Sequence, residues 1–178
     1  MNPEPKNLRN IFLIGYRCTG KSSVGRFLAA KLGWPFIDTD ELLVSDNGSS
    51  IKEIVEKHGW ETFRRIEHVV VKKVCALDER VVATGGGIVV DPSNVELMRN
   101  SGKIVWLKAR PETIKSRMAL DEGTEAFRPS LTAKDSFSEI EQILLERNPM
   151  YRQAMDFCVK TDNRGVDEVC DIILQKFS

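Results

Sequence analysis

The chain is 178 residues long, 42% hydrophobic and 29% charged, a size that buries about 70% of the unfolded surface and sustains one proper core. Ordinary glycine and proline numbers with plentiful aliphatic residues exclude collagen-like, disordered and coiled-coil chains, so a single domain over residues 1–178 is the expectation. Twenty-six basic residues balance 26 acidic ones; no overall field draws the protein to nucleic acid or an anionic membrane, and any anion it binds is captured locally.

From the N-terminus, the polar stretch Met1 to Asn7 leads into Ile11-Phe-Leu-Ile14. That run is too short for a signal sequence or a membrane span and predicts a buried strand, Ile11 to Gly15. Further short apolar runs predict strands at Pro35 to Asp38, Val81 to Thr84, Ile104 to Lys108 and Phe157 to Thr161. Between them, stretches of helical period predict helices over about 21–32, 51–57, 60–77, 93–100, 111–120, 136–155 and 166–177. Strand alternating with helix predicts an α/β fold, a parallel sheet covered on both faces. The polar segment Asp121 to Asp135, holding Gly123 and Pro129, breaks the alternation; a connection this long is either a mobile surface loop or a lid. Cys18, Cys75, Cys158 and Cys170 form no CxxC pair and no zinc-like group with His58 and His68, which predicts reduced thiols and a cytoplasmic protein.

Gly15-Tyr-Arg-Cys-Thr-Gly20-Lys21-Ser22 matches GxxxxGK(S/T), directly after the first strand and opening the first helix. Glycines let the backbone N–H groups turn inward around phosphates, and the helix N-terminus adds positive potential. Lys21 is then expected to reach the β- and γ-phosphates and the Ser22 hydroxyl to hold Mg²⁺. Cys18, Thr19, Gly20, Lys21, Ser22 and Ser23 are the expected ATP-binding residues of this loop. A guanine-reading NKxD is missing from the sequence, and the DxxG at Asp162-Asn-Arg-Gly165 follows the last strand, too late to sense a γ-phosphate. A small kinase is the class that remains.

Asp38-Thr39-Asp40 ends the second strand, where ligands of parallel sheets gather. Asp38 can support a magnesium shell; Asp40 either takes a proton from an attacking hydroxyl or caps a helix starting at Glu41. Arg64 has Glu61 and Glu67 three residues to either side, so it either belongs to a solvated ion-pair face or binds an anion. Arg147, late in a long helix, answers the helix dipole or does the same. Gly85, Gly86 and Gly87 make a tight turn or a bare surface for close ligand approach. Together they suit a hydroxylated, anionic acceptor.

This combination resembles the shikimate kinase family from Asn10 to about Leu174. Beside the phosphate loop it includes the DTD, FRRIE at Phe63 to Glu67, ATGGG at Ala83 to Gly87, RP at Arg128-Pro129 and ERNPMY at Glu146 to Tyr151. The resemblance implies transfer of the ATP γ-phosphoryl group to the 3-hydroxyl of shikimate, on the route to chorismate and aromatic amino acids. It also implies a nucleoside-monophosphate-kinase-like fold with five parallel strands in the order 2-3-1-4-5, a substrate-binding helical region over about 40–68 and a lid over about 121–135. On matching positions, Asp40, Arg64, Gly86 and Arg147 bind shikimate, with Gly85 and Gly87 flanking. Lys21, Asp40 and Arg128 are catalytic, Arg128 being the lid arginine that meets the phosphates. Arg117 and Asp162 to Arg164 lie on the adenine side, and Ser22 and Asp38 serve the magnesium. A monomer with ATP and shikimate as partners is expected.

Two positions depart from the family pattern. Cys18 stands where glycine is usual, adding bulk near the phosphates and a thiol open to modification where its thiolate is stabilised. Ser130 stands where a leucine often follows the proline. Rival readings are a kinase for a gluconate-like sugar acid or a nucleoside monophosphate, and a nucleotide-binding module without transfer chemistry.

Overall fold

The structure, a computed structural model, describes residues 9–120 and 137–177. Among these, five parallel strands form one sheet in the order β2-β3-β1-β4-β5, with β1 Asn10–Ile14, β2 Phe36–Asp38, β3 Arg80–Ala83, β4 Lys103–Lys108 and β5 Phe157–Lys160. This is the expected order, and each strand lies within a residue of its expected bounds. The helices are α1 Lys21–Leu32, α2 Thr39–Asn47, α3 Ile51–Cys75, α4 Pro92–Ser101, α5 Pro111–Leu120, α6 Phe137–Ala154 and α7 Val166–Phe177, with a 3-10 turn at Ile88–Val90. The lid segment about 121–135, with Arg128, Pro129 and Ser130, lies outside the described residues.

The two-residue period of the central strands divides the interior. Phe12, Ile14, Val82, Ile104 and Trp106 face one core, closed by α2, α3, α4 and α6. Ile11, Leu13, Val81, Val105 and Leu107 face the other, closed by α1 and α7 through Val24, Leu28, Val169 and Ile173. Successive side chains on a strand point to opposite faces, so strands covered on both sides read as unbroken apolar runs. No helix among the described residues is long and apolar enough to cross a membrane.

The two helices expected over 51–57 and 60–77 are present: together they make up α3, Ile51–Cys75, and they meet at Gly59, whose φ of 77° and ψ of 168° are not helical. A reciprocal capping box of Ser50 and Glu53 fixes the start of the first. The local feature that differs from expectation is α2. Its cap is Asp38, which accepts from the N–H groups of Asp40 and Glu41. Asp40 therefore does not cap a helix but stands inside its first turn, and the strand alternation that set Asp38 and Asp40 side by side stops at Asp38.

Candidate active site

The loop from β1 to α1 turns at Gly15, with φ 141°, and at Gly20, with φ 97°. A β-carbon on Gly15 would overlap the Leu107 carbonyl oxygen, so the loop sits directly on β4. Cys18 also adopts a positive φ, 57°; this is the left-handed region, where a β-carbon costs about 1–2 kcal/mol. Glycine suits that position for this reason. Lys21 is 4% exposed, and its ammonium donates to the carbonyls of Gly15 and Tyr16, both at 2.8 Å. The Thr19 hydroxyl donates to the Tyr16 carbonyl at 2.8 Å. The buried cation thus braces the loop from within.

Ser22 opens α1, and its hydroxyl donates to Asp38 Oδ2 at 2.7 Å. Sheet order explains the meeting: the end of β2 and the phosphate loop both lie at the carboxyl edge of the strands. Hydroxyl and carboxylate are hard oxygen donors of the kind Mg²⁺ accepts alongside phosphate oxygens. Among the described residues no group of three or more His, Cys, Asp or Glu is placed to hold a metal. The Ser22 hydroxyl and Asp38 carboxylate fit a magnesium carried by a nucleotide, which needs only one or two protein ligands.

On one side of the loop an open pocket of about 670 Å³ is lined by Cys18, Thr19, Gly20 and Ser23 together with Arg117 and Arg164. Arg117 Nη1 donates to the Cys18 carbonyl at 3.2 Å and to the Thr161 hydroxyl at 3.0 Å, and Nη2 donates to the Thr161 carbonyl at 2.7 Å. It ties α5, the phosphate loop and the end of β5 together. Arg164 donates to the Lys160 carbonyl and pairs with Glu168, each at 3.0 Å. Asp162, expected beside it, is engaged elsewhere: it accepts from the Arg110 N–H and the Thr113 hydroxyl at the start of α5.

On the other side a pocket of about 550 Å³ gathers Asp40, Arg64, Glu67, the glycine turn and Arg147. Glu67 is 2% exposed and pairs with Arg64 at 2.5 Å; the guanidinium also lies 5.0 Å from the Phe63 ring centroid and 5.7 Å from that of Trp60. The solvated ion-pair face is overturned, because the partner carboxylate is interior and the pair lines a cavity. Burial raises the Glu67 pKa, Arg64 opposes the rise and the Asp40 charge adds to it. Asp40 is 8% exposed. Arg147 reaches the Gly86 carbonyl at 3.4 Å from well before the last turn of α6, so its side chain serves this pocket rather than the helix end.

The glycines are both a turn and a bare surface. The Gly85 N–H donates to the Thr39 hydroxyl at 3.1 Å. A β-carbon at Gly85 would stand 2.8 Å from Asp40 Oδ1 and 3.0 Å from Glu67 Oε1, and one at Gly87 would overlap the Arg64 guanidinium. Glu67, Thr39 and Tyr151 were not singled out from the sequence as members of the site. Each nonetheless lies in a quoted motif, FRRIE, DTD and ERNPMY, and Glu67 and Tyr151 carried a further signal in their i+3 and i+4 spacing from Arg64 and Arg147.

A glycine-rich cradle at the carboxyl edge of a parallel sheet, with an open pocket on one side and a pocket of arginines and buried carboxylates on the other, defines a small P-loop kinase. Residues 17–178 match the family model described as shikimate kinase. A shikimate kinase of Caldanaerobacter subterraneus is 39% identical over 170 residues, covering 96% of each chain; that of Syntrophus aciditrophicus is 40% identical, covering 95% of this chain and 91% of its own. The structure of Acinetobacter baumannii shikimate kinase in complex with shikimate superposes with a TM-score of 0.89 at 31% identity, over 96% of this chain and 93% of that one. The chain belongs to the shikimate kinase family and is an ATP-dependent phosphotransferase.

Proposed function

We propose that this chain transfers the γ-phosphoryl group of ATP to the 3-hydroxyl of shikimate. The observation that carries the reading is the pocket beside the phosphate loop, where Arg64 and Arg147, from different helices, share the lining with Asp40 and with Tyr16 and Arg17 of the loop. Two guanidinium groups suit a carboxylate, and Asp40 suits the acceptor hydroxyl, whose proton it takes as the phosphorus–oxygen bond forms. The bare backbone of Gly85, Gly86 and Gly87 lets the ring approach closely. Lys21 exchanges its loop carbonyls for the β- and γ-phosphates, and Cys18 to Ser23 with Arg117 and Arg164 receive the rest of the nucleotide. Ser22 and Asp38 are the residues to hold Mg²⁺, which when bound neutralises phosphate charge. Arg128 and the lid about 121–135 are assigned to the phosphates and to excluding water on the resemblance alone.

Transfer needs little covalent chemistry from the protein, so positioning and charge carry the rate. The substrate region about 40–68 corresponds to α2 and the first two-thirds of α3. A single-domain monomer in the cytoplasm fits the size, the balanced charge and the free thiols. A coupled assay for ADP, run with ATP and magnesium, tests the assignment: ADP release is expected to depend on shikimate. Release driven instead by gluconate or a nucleoside monophosphate, or nucleotide binding with no turnover on any acceptor, would overturn it.

A further inference from the structure

A buried hydroxyl bonds to the glycine turn that lines the pocket of Arg64 and Arg147. Tyr151, on α6, is 0% exposed and stacks on Trp106 of β4, with centroids 5.6 Å apart and planes inclined by 27°. Its hydroxyl donates to the Gly86 carbonyl at 2.5 Å. Arg147, one helical turn earlier, reaches the same carbonyl at 3.4 Å. Gly86 in turn sits on the phosphate loop: a β-carbon there would stand 3.5 Å from both the Arg17 nitrogen and the Gly15 oxygen. The middle of the glycine turn is therefore held from α6 by a phenol and by the guanidinium assigned to the acceptor carboxylate.

Gly86 is partly buried, and a carbonyl partly shielded from water that loses its donor carries a share of the desolvation penalty. An Arg147 that were the sole support of Gly86 would pay that penalty whenever it turned to a ligand. We propose that Tyr151 is a positioning residue: by keeping the Gly86 carbonyl satisfied, it leaves Arg147 free to take the carboxylate of the acceptor. Burial raises the phenol's pKa, so the hydroxyl keeps its donor proton through the neutral range. The inference rests on the proposed function, since it requires a carboxylate at Arg147.

Tyr151→Phe keeps the ring on Trp106 and removes the donor alone. It is expected to raise the KM for shikimate roughly three- to ten-fold, the range spanned by one hydrogen bond, with the KM for ATP unchanged. In an Arg147→Ala background the same substitution is expected to have a smaller effect, because the two residues act through one carbonyl. Effects that multiply, or a KM for ATP that rises equally, would overturn the proposal in favour of a packing role. Arg147→Ala alone separates the two levels. A shikimate KM unchanged by it removes the carboxylate assignment and this inference together. A KM raised by it but untouched by Tyr151→Phe removes the inference only.

Discussion

Cys18 holds a backbone angle that glycine takes freely. The left-handed region costs a β-carbon about 1–2 kcal/mol, while glycine returns about 0.4–1 kcal/mol to the unfolded chain. Cys18→Gly is therefore expected to stabilise the protein by up to about 1 kcal/mol, seen as a higher urea midpoint at unchanged slope; a lower midpoint would mean that the side chain's contacts outweigh the strain. Glu67 makes a second prediction, about pH. Burial lifts its pKa above the ordinary 4.5, so the folded chain binds this proton more tightly than the unfolded one. Its contribution to stability is fully present below pH 4.5 and is lost as pH rises through the raised value. Glu67→Gln cannot ionise, so its thermal midpoint is expected to gain on that of the wild type as pH climbs through this window. A difference that stays flat or shrinks would contradict the burial argument. The cradle's spacing singles out Lys21 and Ser22 one by one, because it leaves them little other use. Arg64 and Arg147 taken singly stay ambiguous in sequence, since an ion-pair face and a dipole contact satisfy the same local sequence.

Among the helices, α1 rests on the sheet through a glycine. A β-carbon on Gly25 would overlap the Phe36 ring on β2 and come within 3.3 Å of Leu13 Cδ1 on β1. The close approach holds β2 beside α1, and with it Asp38 beside Ser22. Gly25→Ala gains helix propensity but overpacks the contact, at a cost of about 1–3 kcal/mol. A thermal midpoint several degrees lower is expected; an equal or higher midpoint would show that the ring moves aside without cost. Helix positions set by local sequence were readable from the chain, and α1, α5 and α7 match their expected bounds. The sequence offers the helix α2 only as one reading, starting at Glu41 with Asp40 as its cap; it starts at Thr39 instead, because its cap is the last residue of a strand, and its apolar positions Leu42 and Leu43 pack into the core that α3 helps to close.

The assembled molecule sets two pockets on opposite sides of the phosphate loop, in a chain whose formal charges cancel. Ligands that bind only the folded state stabilise it by mass action, about 2.7 kcal/mol at one hundred times Kd. Shikimate is expected to raise the thermal midpoint of the wild type but barely that of Arg64→Ala at the same concentration, while ATP shifts both alike. Loss of both shifts would mean that Arg64 supports the fold as a whole rather than one pocket.

The phosphate loop, the alternation of strands with helices and the motifs of the family were carried along the chain, because each depends on neighbours a few residues apart. The partnership of Glu67 with Arg64, the contacts of Asp162 with Arg110 and Thr113, and the meeting of Tyr151 with Gly86 join residues whose roles depend on burial or on distant segments. A carboxylate three residues from an arginine looks the same in sequence whether water or a cavity wall surrounds it. Packing removes the water, and that is what turns a surface pair into part of a pocket wall.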